Sequence, residues 1–153
     1  MRALLKSWLP VVLWTGLIFL LSTGVGAGGR TVAFLIDMNR RFHLGIGMQE
    51  IFVLNHFIRK AAHVTEYALL AVLFWRALAL PAGRPGWGWN GRTVGEAFLV
   101  AVAYAVSDEF HQAFVPGRGS AVSDVVIDSA GAALGLLVAW GVRAALRRRV
   151  TSS

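Results

Sequence analysis

Residues 121–142 read AVSDVVIDSAGAALGLLVAWGV, and this stretch decides the fold class. Asp124 and Asp128 lie near its start, and the rest is a run of apolar and small residues long enough to cross a hydrocarbon core about 30 Å thick as a helix. The two aspartates are one helical turn apart, and Gly131 and Gly135 continue the same stripe. The stretch therefore predicts a transmembrane helix whose packing face is polar in its first turns and small further along.

Three more segments of the 153-residue chain predict helices of the same kind. Residues 7–23 are almost entirely apolar, while residues 58–80 and 93–114 are apolar apart from a few charged positions. The composition agrees, because 56% hydrophobic and 15% charged residues is far from the average of soluble domains. We predict one all-α domain over residues 1–153, a polytopic membrane helix bundle of about four transmembrane helices, at 7–23, 58–80, 93–114 and 121–142.

The connection between the first two spans, residues 24–57, contains an additional helical pattern. A glycine-rich break is followed by Phe34, Met38 and Phe42 at helical spacing, opposite charged residues such as Arg40. Two interpretations stay open: a short helix lying in the membrane interface, or an ordinary helix packed over the bundle. The other two connections are rich in proline and glycine, which separates the helices without adding a domain.

Basic residues outside the predicted spans orient the chain. The tail from Arg143 to Arg149 and the segment containing Arg2 and Lys6 place both termini in the cytoplasm by the positive-inside rule. The net charge of +7 is then explained by contact with lipid headgroups, and no nucleic-acid partner is predicted. The sequence contains no cysteine, which excludes disulfides, thiolate metal sites and cysteine nucleophiles.

Five of the eight acidic residues fall inside the predicted spans or in their terminal turns. An aspartate facing lipid costs roughly 2.5–3.5 kcal/mol, so these side chains should face the bundle interior. Alternating helix direction brings the start of the second span, the end of the third and the start of the fourth to one membrane face, which the orientation makes extracytoplasmic. The candidate site residues gathered there are Lys60, His63, Glu66, Asp108, Glu109, His111, Gln112, Arg118, Asp124 and Asp128.

The same residues carry a resemblance to a known family. Residues 59–67 (RKAAHVTEY), 107–112 (SDEFHQ), 115–118 (VPGR) and 124–131 (DVVIDSAG) resemble the motif series of the VanZ-like family in order and approximate spacing. The resemblance covers about residues 48–142. It implies a bacterial cytoplasmic (inner) membrane protein with a role in the cell envelope, in a family named for resistance to the glycopeptide teicoplanin.

One hypothesis is a membrane-embedded hydrolase or transferase that acts on a lipid-linked envelope intermediate or a lipoglycopeptide at the outer leaflet. His63 or Glu66 would transfer protons, and Asp108, Glu109, Asp124 and Asp128 would act as bases or bind a divalent metal. Lys60 and Arg118, with His111 and Gln112 beside them, would bind a phosphate or carboxylate of the substrate.

Two non-enzymatic hypotheses stay open beside it. In one, the acids of the cluster relay charge in a transporter or flippase, and so small a bundle would need to form a homodimer to build a path. In the other, the charges form a buried network that fixes helix register, and an envelope partner is recognised at the outer surface.

Overall fold

The computed structural model describes residues 2–23, 29–79, 89–115 and 121–151. These ranges contain five helices and no strand, which confirms the all-α prediction. The helices are α1 (Arg2–Ser22), α2 (Gly29–Phe42), α3 (Met48–Ala79), α4 (Gly91–Gln112) and α5 (Val122–Thr151). Most of the proline- and glycine-rich connections predicted at 81–90 and 116–119, and with them Arg118, lie outside the described residues.

Each predicted span corresponds to one helix, and two helices extend beyond their predicted ends. Helix α3 begins at Met48 rather than at residue 58, and α5 continues to Thr151 rather than ending at 142. The extension of α5 is rich in alanine, leucine and arginine, which are strong helix formers, and contains no proline. The arginine-rich tail is therefore a continuation of the last helix.

Two helices are long and apolar enough to cross a membrane: Leu4–Ser22 of α1 and Val122–Arg149 of α5. Helices α3 and α4 do not reach the same hydropathy in the described residues. Glu66 and Arg76 lower the hydropathy of α3, and Asp108 and Glu109 lower that of α4. Glu66, Asp108 and Glu109 belong to the part of the bundle that forms the candidate site, whereas Arg76 lies near the opposite end of α3.

Helix α3 is the centre of the bundle and packs against each of the other four helices. Its side chains Tyr67, Leu70 and Ala71 are fully buried. The neighbouring face of α4 is made of buried alanines one turn apart: Ala97, Ala101 and Ala105. Small side chains at this spacing let two helices approach closely.

The closest helix contact lies between α3 and α5. A Cβ at Gly131 would lie 2.5 Å from the carbonyl oxygen of Val64, and a Cβ at Gly135 would lie even closer to that of Ala68. Neither glycine could therefore be replaced without separating the two backbones. This confirms the predicted packing face, and it sets the polar first turns of α5 directly against α3.

Helix α1 is attached by hydrogen bonds to backbone carbonyls. The Trp14 indole donates to the carbonyl of Glu66 over 3.0 Å. The Tyr104 hydroxyl donates to the carbonyl of Thr15 over 2.7 Å. Together with the buried Val11 and Ile18, these bonds fix α1 to α3 and α4.

Helix α2 forms where the stripe in residues 24–57 predicted a helix. It has no buried residue and packs against the first part of α3. Asn39 fixes its end, because its side chain donates to the carbonyl of Ile46 and accepts from the amide of the same residue. Phe34 and Phe42 remain exposed.

Candidate functional site

The polar residues of α3, α4 and α5 meet at one end of the bundle. Alternating helix direction brings together the end of α4, the start of α5 and the middle of α3, where the sequence placed the start of the second span. The contacts that join them are Lys60 with Asp124, His63 with Asp128, and Glu109 with the backbone of Ala121. We call these residues, with Glu66, Asp108 and Gln112, the polar cluster.

The outer contact of the polar cluster is an ion pair between helices. The ammonium group of Lys60 on α3 donates to Oδ1 of Asp124 on α5, and both side chains are largely buried. The hydroxyl of Ser123 also donates to Asp124 Oδ1, over 3.2 Å. The charge of Lys60 is therefore already compensated within the protein.

The inner contact lies one helical turn further along both helices. His63 Nδ1 is 3.3 Å from Oδ1 of Asp128, whose side chain is 0% exposed. This is an ion pair when the imidazole is protonated. Within the described residues, both oxygens of Asp128 and the Nδ1 atom of His63 lack a hydrogen-bond partner. A buried carboxylate in this state is costly, so it calls for an explanation.

Helix α4 contributes three buried polar side chains from its last turns. The Gln112 amide donates to Asp108 Oδ2 over 2.8 Å, which occupies one oxygen of that carboxylate. Glu109 Oε2 accepts from the amide of Ala121 over 2.9 Å and so fixes the start of α5. The other oxygen of Glu109 is buried without a hydrogen-bond partner in the described chain.

The two tyrosines near the cluster differ in their hydroxyl partners. Tyr104 is engaged with α1, as described above. The Tyr67 side chain is 0% exposed, and its hydroxyl has no hydrogen-bond partner in the described residues. Tyr67 lies one turn after His63 and interacts electrostatically with Asp108 and Asp128. It was absent from the candidates predicted from sequence, although its spacing from His63 places it on the same face.

The remaining candidates are placed differently. Glu66 is half-buried and close enough to interact electrostatically with His63 and Tyr67. His111 turns toward α1, where its ring centroid is 4.8 Å from that of Phe19. Arg118 lies outside the described residues, so its predicted role in substrate binding stays a prediction.

The described part of the polar cluster contains more acidic than basic side chains. Five carboxylates face Lys60 and His63, and the Lys60 charge is matched by Asp124. The sequence left a divalent metal open. Among the described residues, no group of three histidine, aspartate or glutamate side chains is arranged to hold a metal ion. We therefore assign no metal ligands.

Comparisons with known proteins place the chain in one family. A family model described as VanZ/LLP1 matches residues 7–145, which is nearly the whole chain. Comparison with curated proteins and with solved structures gives no match. The match includes α1 and α2, and so it extends beyond the part of the sequence in which the motifs were recognised.

Proposed function

The chain belongs to the VanZ-like family, and on that premise we propose that it is a multi-pass membrane protein whose polar cluster binds a lipid-linked molecule of the bacterial cell envelope. The proposal has two parts, the membrane arrangement and the use of the cluster. Each is supported by different residues.

In the proposed arrangement α1, α3, α4 and α5 cross the bacterial cytoplasmic membrane. The outward faces of three of them carry large exposed apolar side chains, such as Leu13 (65%), Leu99 (66%) and Leu137 (63%). Such surfaces suit lipid better than water. The exposed arginines at the end of α5 favour a cytoplasmic C-terminus, and the polar cluster then lies at the extracytoplasmic face.

The observation that carries the binding function is the state of Asp128. A network that only fixed helix register would be expected to satisfy its buried polar atoms, because unsatisfied ones weaken the fold. Among the described residues, Asp128 instead has no hydrogen-bond partner for either oxygen while it contacts His63. Buried polar groups of this kind are typical of sites that bind a ligand or transfer a proton.

The same geometry supports a catalytic version of the proposal. An imidazole in contact with a carboxylate can take up and release a proton near neutral pH. His63 and Asp128 would then serve a hydrolase or transferase reaction on the bound molecule. Glu66 would be the alternative group for proton transfer, and Asp108 and Glu109 would be further bases.

A purely structural role is the second candidate, and the Lys60–Asp124 pair favours it. This pair joins α3 to α5 near their closest contact and resembles a register-fixing ion pair. Transport has less support. A conduit would need buried charged groups along its length, whereas the buried carboxylates in the described ranges, Asp108, Glu109 and Asp128, lie at one end.

The binding function is tested by photo-crosslinking in vesicles. The purified protein is reconstituted with a benzophenone-bearing, lipid-linked disaccharide-peptide of the class that builds cell walls. We expect wild type and the control Asp37→Asn, whose side chain is exposed on α2, to crosslink equally. Asp128→Asn and His63→Gln should crosslink at least about tenfold less, because each removes a charged contact.

Equal crosslinking of all four folded proteins would leave only the structural role. A second readout is the teicoplanin susceptibility of a sensitive bacterium that expresses each variant. It tests whether this chain confers the teicoplanin resistance for which the family is named. Loss of protection by His63→Gln but not by Asp37→Asn is the expected result.

A further inference from the structure

Five buried polar atoms without hydrogen-bond partners in the described chain lie around the inner contact of the polar cluster. They are both carboxylate oxygens of Asp128, Oε1 of Glu109, the hydroxyl of Tyr67 and Nδ1 of His63. Glu109 interacts electrostatically with Asp128 and His63, and Tyr67 interacts with Asp128. We call these four side chains the inner site.

The inner site has more acceptors than donors. An ionised carboxylate can only accept hydrogen bonds, so Asp128 and Glu109 together offer three free acceptor oxygens. Their possible donors within the site are the Tyr67 hydroxyl and the His63 ring. Two nearby donors outside it are directed to other carboxylates: Lys60 donates to Asp124, and Gln112 donates to Asp108. Within the described residues, the inner site therefore has fewer donors than acceptors, and its one source of positive charge is a protonated His63.

This deficit argues against an anion as the group bound here. A phosphate or carboxylate would bring further acceptors and further negative charge to two carboxylates that already have oxygens without hydrogen bonds in the described chain. A group that fits must bring a positive charge and several N–H or O–H donors. A primary ammonium group has both, with three donors on one small centre.

We propose that the inner site binds a primary ammonium group, with Asp128 as its counter-ion, Glu109 as a second acceptor and the Tyr67 hydroxyl as a further contact. The inference rests on the proposed function, since it names the part of the envelope molecule that enters the cluster. The ammonium group can belong to an aminolipid headgroup or to a water-soluble amine. Both present the same chemistry to the site.

Thermal unfolding of the purified protein in a neutral maltoside detergent tests this directly. A ligand that binds the folded state raises the melting temperature. The probes are dihexanoyl phosphatidylethanolamine, the phosphatidylcholine and phosphatidylglycerol of the same chain length, and ethylammonium chloride. We expect stabilisation by phosphatidylethanolamine and none by phosphatidylglycerol. Phosphatidylcholine should bind at least about tenfold more weakly, because its methylated nitrogen has no N–H to donate.

Ethylammonium separates the two sources. Stabilisation by ethylammonium equal to that by phosphatidylethanolamine identifies a soluble amine, and stabilisation by the lipid alone identifies a headgroup. Either result supports the ammonium site. Equal or greater stabilisation by phosphatidylglycerol, or no stabilisation by any amine, overturns it.

Matched variants assign the binding to the inner site. Asp128→Asn should weaken phosphatidylethanolamine binding by about tenfold or more, whereas Asp124→Asn, whose oxygen is engaged with Lys60, should weaken it far less. Tyr67→Phe should weaken binding, and Tyr104→Phe should not. If Asp128→Asn fails to fold, the tyrosine pair still decides the outcome.

Failure of this inference and failure of the proposed function are distinguishable. Crosslinking to the lipid-linked disaccharide-peptide without any amine-dependent stabilisation leaves the function standing and removes the ammonium site. Amine-dependent stabilisation without crosslinking removes the proposed function and leaves the ammonium site standing.

Discussion

Gly131 of α5 packs directly on the backbone of Val64 of α3, at a distance that leaves no space for a methyl group. Replacing it with alanine would force a Cβ to within 2.5 Å of a carbonyl oxygen that belongs to a rigid helix. We expect Gly131→Ala to lower the free energy of unfolding in detergent by about 1–3 kcal/mol.

Gly141→Ala is the matched control for that prediction. Gly141 lies on the same helix, and a Cβ there would meet nothing within 4 Å. Alanine is the better helix former by about 1 kcal/mol, so this variant should be as stable as wild type or more stable. Equal stability of Gly131→Ala and Gly141→Ala would contradict the close approach of α3 and α5.

The ion pair between Lys60 and Asp124 should contribute measurably to stability. Both side chains are largely buried, so Lys60→Met leaves a carboxylate without its counter-ion. We expect a loss of about 1–3 kcal/mol for Lys60→Met. The double variant Lys60→Met with Asp124→Leu should recover most of it, and a double-mutant cycle in thermal unfolding measures the coupling. Additive effects would mean that the two side chains do not interact.

Asp128→Asn should separate stability from function. The wild-type carboxylate is buried, neither oxygen is hydrogen-bonded within the described ranges, and removing its charge relieves that cost. We expect unchanged or higher thermal stability together with loss of crosslinking, which is the pattern of a functional site that weakens its own fold. A large loss of stability in Asp128→Asn would instead indicate that this residue is part of the structural network.

The two tyrosine hydroxyls should differ in their effect on stability. The Tyr104 hydroxyl donates to the carbonyl of Thr15 over 2.7 Å, so Tyr104→Phe should cost about 1 kcal/mol. The Tyr67 hydroxyl has no partner among the described residues, so Tyr67→Phe should cost none. Thermal unfolding of both variants checks this, and a greater loss in Tyr67→Phe would contradict it.

Orientation can be measured because the sequence contains no cysteine. Ser123 and Arg149 are exposed near opposite ends of α5. An impermeant thiol reagent should label Ser123→Cys in intact cells, and Arg149→Cys only after the membrane is permeabilised. The reverse pattern would put the polar cluster in the cytoplasm.

The sequence predicted the all-α fold and the meeting of α3, α4 and α5 because both follow from apolar length and alternating helix direction. It also predicted the packing role of Gly131 and Gly135 from their spacing. The sequence did not predict which charged side chains form pairs. Whether Lys60 faces Asp124 or Asp128 depends on how far α5 is shifted along its axis relative to α3, and the close backbone contact with Val64 and Ala68 sets that shift.

The different states of Tyr67 and Tyr104 were unpredictable for a similar reason. Both are single tyrosines in apolar helices, and their hydroxyls differ because one reaches a carbonyl of α1 and the other does not. That difference depends on how α1 lies against the bundle. Nothing in the first apolar segment alone specifies this position.

The pairing of α3 with α5 also has a consequence for how the protein is made. Synthesis proceeds from the N-terminus, so α3 leaves the ribosome before α5 exists. During that interval Lys60 and His63 cannot contact Asp124 and Asp128, and Gly131 does not yet cover the backbone of Val64. The docking of the last helix is therefore the step that completes the polar cluster.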